Sequence, residues 1–334
     1  MSPVVIRNNQ VPNRFYRGGS QIAAFRSSSP SGEYEPEDWV ASTTCCYGHD
    51  SLGLTVLECG RTLKEEIQNQ PEHWLGPAHV KAFGSSTKLL VKLLDAGQRL
   101  PIHGHPRSDW AQRFLGSTYG KAELWFVLEP GTVWLGLQKD ISREHMRALV
   151  DTQKVGELLE MMHKVRLERG QAMYVPPGVL HAIGQGMLIV EVQEPSDLSV
   201  LCEWRDFEID GVMAGHLGLG FDVALTALEL SSRTRPNIEA LVTGADTQGL
   251  VGGVEAREYF RAERYLIKAQ VSFDAGFAIM IILGGELEVK TASGSSTSLH
   301  RGMTIVIPYG DGGFDLGGDG EVFIARPPQP QGEP

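Results

Sequence analysis

Cysteine is scarce, and its placement offers no chemistry. The four in the chain are Cys45, Cys46, Cys59 and Cys202; none forms a C-x-x-C pair, and two are adjacent. That argues against a cysteine-built zinc site and against a disulfide framework, and it fits a reduced, cytoplasmic setting. Long apolar runs are missing as well. Nothing approaches the roughly 18 apolar residues of a membrane span, and residues 1–19, with Arg7, Arg14 and Arg17, lack the hydrophobic stretch of a secretion signal. No membrane partner is expected. Basic clusters are the third absence. Lys and Arg number 30 against 41 Asp and Glu, a formal charge of -11, and no run of them could track a phosphate backbone, so nucleic acid is not an expected partner.

What is present is an ordinary globular composition, 42% hydrophobic and 21% charged over 334 residues, long enough for two cores. Runs rich in Val, Leu, Trp and Phe recur at 88–95, 122–128, 132–137, 171–175, 187–193 and 198–204. Short strands separated by turns predict a barrel or sandwich. Thr62 with Glu65 three residues on predicts a capping box and a short helix. The spacing of Val155, Leu158, Leu159 and Met162 predicts a helix over 151–165, and 221–232 carries an apolar helical pattern. The Gly-rich stretch 242–253 then marks a change of composition. A second strand series follows, at 259–270, 277–283, 286–291, 303–307 and 322–325, broken by Gly284-Gly285 and by 292–297. The expected organisation is a first domain over 1–235 with a helical insertion, a second over 236–328, and a Pro-rich disordered tail, 329–334.

Within the first series lies a ligand pattern. In His103-Gly104-His105 two imidazoles separated by one residue point to the same side of an extended segment. Alternation along 122–128 places Glu123, Trp125 and Val127 on one face, so a carboxylate shares an apolar interior and needs a partner there. His181 follows the rigid turn Val175-Pro176-Pro177-Gly178. Any one of these histidines is more often an ordinary surface or core residue; H-x-H, then Glu in a strand, then Pro-Gly-x-x-His is much less often accidental. Three imidazoles and a carboxylate suit one divalent Zn, Fe, Mn, Ni or Cu ion better than Ca. The other seven histidines show no comparable arrangement, and the second series offers only His300.

This constellation resembles the cupin pattern, and in detail the type I mannose-6-phosphate isomerases. The matching segments are Leu93-Leu94-Asp95 through His103-Gly104-His105-Pro106, then 120–128, then 175–184, continuing through Glu191-Val192-Gln193 and Ser196-Asp197. Upstream, Pro36-Glu37-Asp38-Trp39, 63–67 and Leu75-Gly76 match too. The resemblance implies a mainly β fold of two cupin (jelly-roll β-barrel) domains with a few short helices, the second lacking metal ligands. It implies zinc on His103, His105, Glu123 and His181. There are departures: His103 stands where the family usually has Gln, Pro101 where it has Ser near the substrate phosphate, and Leu201 where it has Arg.

The activity implied is aldose–ketose isomerisation through an enediol, between mannose 6-phosphate and fructose 6-phosphate or a related sugar, with a small sugar or sugar phosphate as partner. Glu191 is the first candidate for proton transfer, because its counterpart lies in the pocket and because a carboxylate on so apolar a strand is costly. Lys121 shares the strand face of Glu123 and is placed near the ion. Arg205, close after Leu201, is a candidate replacement for the missing arginine. Lys92 matches a lysine expected at the phosphate, and Asp109 is a candidate for the pocket mouth. Alternatives are an isomerase of an unphosphorylated sugar, a non-catalytic sugar-binding metal cupin and an iron oxygenase. Sequence leaves the oligomeric state open.

Overall fold

Strand Glu123–Glu129 sends alternate side chains into two different cores. Leu124, Phe126 and Leu128 join one, Trp125 and Val127 the other, and the strand is therefore apolar almost throughout rather than alternating with polar residues. It lies at the centre of a six-stranded antiparallel sheet ordered Val242–Thr243, Ala172–Val175, Glu123–Glu129, Leu188–Gln193, Leu90–Asp95, Glu37–Val40. The computed structural model describes residues 3–330 and is mainly β, as the strand pattern predicts.

One face of this sheet packs on a five-stranded sheet, ordered Val200–Leu201, His103–Gly104, His181–Ile183, Gly131–Leu137, Met162–Leu167. Leu94, Val133, Leu135, Met173 and Ile189 fill the space between the two sheets. The opposite face carries Val91, Leu93, Val190 and Val192 against Phe277, Ile279, Ile281 and Phe323 of an eight-stranded C-terminal sheet. That third sheet encloses a core of its own, with Met280, Ile282, Val289, Leu316 and Ile324. It also takes in the first strand of the chain, Val4–Ile6, which pairs antiparallel with Thr304–Ile307.

Three expectations change. Residues 162–165 are not the end of a helix. The helices are Arg143–Asp151 and Val155–Glu160, and Met162–Leu167 is a strand paired with Gly131–Leu137, where tertiary pairing overrides a local 3.6-residue pattern. Gly284-Gly285 bends a strand rather than ending one: Ala278–Thr291 runs through it, with a register shift between Ile282 and Gly284 and Gly285 at φ +76°, a conformation glycine adopts at no steric cost. The run at 198–204 shortens to Val200–Leu201. The capping box forms as read, with Thr62 Oγ1 accepting from Glu65 N at 3.1 Å and Glu65 Oε2 accepting from Thr62 N at 2.7 Å. The disorder expected for 329–334 falls, from 331 on, outside the described residues.

Candidate functional site

Three histidines meet because two adjacent segments of the five-stranded sheet put them there. His103 pairs directly with His181 and with Leu201 on its other side. His105 lies two residues along from His103, and ring centroids are 4.2 Å apart for His103–His181, 4.8 Å for His105–His181 and 4.9 Å for His103–His105. The turn before His181 is closed by Gly178 N donating to His105 O at 2.6 Å. Glu123 reaches the cluster from the facing sheet, with Oε1 3.0 Å from His105 Nε2 and Oε2 3.6 Å from His181 Nε2. Gly120, just upstream, permits a close approach: a Cβ there would lie 2.5 Å from Pro106 O and 2.6 Å from Ser108 N.

The hydrogen bonds fix the tautomers. His103 Nδ1 lies 2.8 Å from Pro101 O, His105 Nδ1 2.8 Å from Leu198 O, and His181 Nδ1 2.9 Å from Val179 O. A carbonyl only accepts, so each Nδ1 carries the proton and each Nε2 presents a lone pair. Burial holds all three rings neutral, pushing His181 down to about 3 with His105 adding to it, and His103 well below the usual range. Nε2 of His181 nevertheless faces Nε2 of His103 at 3.0 Å, where neither atom has a proton to donate. Two facing lone pairs repel unless a cation lies between them. Glu123 Oε1, itself buried, has Lys121 Nζ at 2.9 Å as a charge partner but no hydrogen bond of good geometry, and it faces the unprotonated His105 Nε2 at 3.0 Å. Orphaned donors of nitrogen and oxygen type, each imidazole braced through its other nitrogen, fit a divalent metal ion. His103, His105 and His181 thus form a cluster that could hold one.

The cluster opens into a cavity of about 250 Å³. Lys92, Lys121, Glu123, Glu191, His103 and His181 all line it: alternation along three neighbouring strands sends the first four to the inner face of the six-stranded sheet, and the two histidines come from the sheet opposite. Lys121 Nζ lies 2.9 Å from Glu123 Oε1 and 3.3 Å from His105 Nε2. Lys92, only 1% exposed, lies directly across from Glu191 in the strand register, Nζ 3.1 Å from Oε2. Burial, reinforced by nearby Glu123 and opposed by Lys92, raises Glu191 to about 6. Burial disfavours the Lys92 ammonium, but Glu37 and Glu191 outweigh it and keep the group protonated.

Two candidate residues are not brought in. Arg205 is exposed and borders a separate groove with Arg99, Gln153 and Glu203. The segment turns outward after Cys202, where the backbone N–H groups of Trp204 and Arg205 donate to Gln153. Asp109 is exposed in the first turn of helix Ser108–Leu115 and accepts from Trp110 N at 2.8 Å.

Sequence reasoning missed four other residues that line the cavity: Arg14, Tyr16, Glu37 and Asp197. Arg14 makes a two-pronged contact with Asp197, 3.2 Å for each bond, and its Nε lies 3.3 Å from Glu37. Tyr16 Oη and Trp39 Nε1 donate to the two Glu37 oxygens. Burial alone would raise the Glu37 carboxyl, yet Arg14 and Lys92, helped by those hydrogen bonds, hold it down at about 2. Glu37 and Asp197 stood in segments that matched the isomerases, but nothing local marked Arg14 as more than surface charge.

Comparison with known proteins agrees with the motifs. No family model matches the chain. The mannose-6-phosphate isomerase ManA of Bacillus subtilis is 26% identical over 327 residues, covering 92% of this chain and 94% of that protein. The mannose-6-phosphate isomerase of Streptococcus mutans is 25% identical over 335 residues, covering 98% and 99%. Among solved structures, a mannose 6-phosphate isomerase from Bacillus subtilis superposes with a TM-score of 0.74 at 20% identity, over 98% of this chain and all (100%) of the other. A variant of phosphomannose isomerase from Salmonella typhimurium gives 0.75 at 15% identity with the same coverage.

Proposed function

We propose, taking as premise that this chain is a homologue of mannose-6-phosphate isomerases and shares their fold, that it is a metal-dependent aldose–ketose isomerase. It would shift a proton between adjacent carbons of a sugar while the carbonyl moves, by way of an enediol. The reaction named for the relatives, with mannose 6-phosphate and its ketose isomer fructose 6-phosphate, sets the reaction class. His103, His105, Glu123 and His181 would hold one divalent cation, zinc by resemblance. When bound, it supplies Lewis-acid stabilisation of negative charge developing on the sugar oxygens.

The chain's own residues account for the remaining steps. Glu191 is the proton carrier. Its carboxyl, raised to about 6, is a stronger base than an ordinary carboxylate and is still ionised at neutral pH, the balance a general base needs. Lys92, 3.1 Å away, fixes its orientation and stabilises its charged form. Lys121 is tied to Glu123 and directs its ammonium into the same cavity, where it can donate to a sugar hydroxyl.

The observation that carries this reading is the set of three Nδ1-protonated imidazoles whose free nitrogens converge beside a carboxylate. It is tested by metal analysis of the purified protein and by NMR of aldoses incubated with it in D2O. One divalent ion per chain and exchange of the C2 proton are expected. A metal-free protein that also exchanges no C2 proton in any sugar after zinc, manganese or iron is added overturns the proposal.

A further inference from the structure

We infer that the cavity selects an uncharged aldose, such as a pentose or a 6-deoxyhexose, over a sugar phosphate. This inference rests on the isomerase reading for the reaction but on separate observations for the substrate.

The first is charge. Four carboxylates line the cavity, Glu37, Glu123, Glu191 and Asp197, against three cations, Arg14, Lys92 and Lys121, so the side chains alone leave the lining negative by one charge. Among the described residues, the two lining cations away from the histidines are both occupied: Arg14 by Asp197 and Glu37, and Lys92 by Glu191 at 3.1 Å and Glu37 at 3.7 Å. Lys121, 3.3 Å from His105 Nε2, stands at the metal end. A phosphate dianion beside Arg14 or Lys92 would also lie beside the buried carboxylates that already balance their charge, and that like-charge placement is unfavourable. A divalent ion on the histidines adds positive charge at the reacting end of the sugar, not at the remote end.

The second is the nature of the remaining surface. Leu94, Leu100, Pro101, Ile183, Leu201 and Leu217 contribute apolar lining. Pro101 has no N–H to offer, and its carbonyl already accepts from His103.

The experiment uses the metal-loaded full chain, with mannose, lyxose, a 6-deoxy aldose and mannose 6-phosphate. Calorimetry gives binding, and C2 proton exchange in D2O gives turnover. At least one uncharged aldose is expected to bind about tenfold or more tightly than the phosphate, a modest share of what an unfavourable charge placement costs, and to lead in exchange rate. A phosphate preference, equal affinity or no binding of any sugar overturns the inference. Binding in the expected order without exchange removes the isomerase reading and leaves the substrate class standing. Two variants test the cause: Leu201→Arg adds a cation, and Asp197→Asn releases Arg14. In whichever variant folds, the affinity ratio should move toward the phosphate by about tenfold. An unchanged ratio in a folded variant sinks the charge argument, and the wild-type comparison stands alone if neither folds.

Discussion

Lys92 and Glu191 face each other across neighbouring antiparallel strands with 3.1 Å between Nζ and Oε2, both almost completely buried. Each side chain is tolerable inside the protein because of the other, and the pair couples the proposed proton carrier to the Arg14–Glu37 network on the far side of Lys92.

Glu191→Gln should lower turnover by about 10²-fold or more, the usual contribution of a positioned base, with metal content unchanged. In the wild type, activity requires the ionised carboxylate and so rises with pH through the group's pKa. That pKa is about 6 from the protein's own charges and falls lower when a cation is bound nearby. A pH–rate profile on the metal-loaded enzyme checks both; a Glu191→Gln protein with wild-type rates assigns the proton to another group.

Lys92→Ala leaves two buried carboxylates, Glu37 and Glu191, short of a counter-charge. Breaking a buried pair on one side costs about 3–5 kcal/mol, and urea denaturation at pH 7 should show a loss of that order. Loss below about 1 kcal/mol would mean water reaches the pair.

Glu37 makes acid stability predictable. Its folded pKa of about 2 lies below the ordinary 4.5, so its ionised form stabilises the fold by about 3 kcal/mol. That contribution is complete above pH 4.5 and is lost as pH falls toward 2. Stability curves of the metal-free wild type and of Glu37→Gln should therefore differ most at neutral pH and converge below about pH 2; parallel curves would contradict the assignment.

Metal removal should lower the melting temperature, since an ion that binds only the folded state at 100 times its dissociation constant adds about 2.7 kcal/mol. His181→Ala should abolish the shift, whereas Arg205→Ala and Asp109→Ala should leave both melting temperature and turnover within error, because those side chains are exposed and away from the cavity. Differential scanning calorimetry with and without chelator is sufficient.

The convergence of His103, His105, Glu123 and His181 was legible because each signal is local: an alternating H-x-H, a carboxylate in phase with Trp125 and Val127, a histidine after a Pro-Pro-Gly turn. The inner-face placement of Lys92 and Glu191 follows from the same alternation once the sheet is known to be buried on both faces. Arg14 was not legible, because its partner Asp197 is far along the chain and its own segment has no period. Met162 was misread for a related reason. Helical spacing ran on into residues whose structure is decided by pairing with Gly131–Leu137, a contact invisible in a local window.

The six-stranded sheet gives its outer face, Val91, Leu93, Phe126, Val190 and Val192, to the C-terminal half. A fragment cut near residue 236 would keep all four proposed ligands yet expose a broad hydrophobic surface to solvent. Such a fragment should aggregate on expression, and trimming the chain to a minimal catalytic unit would fail for want of solubility before any lost chemistry could be measured.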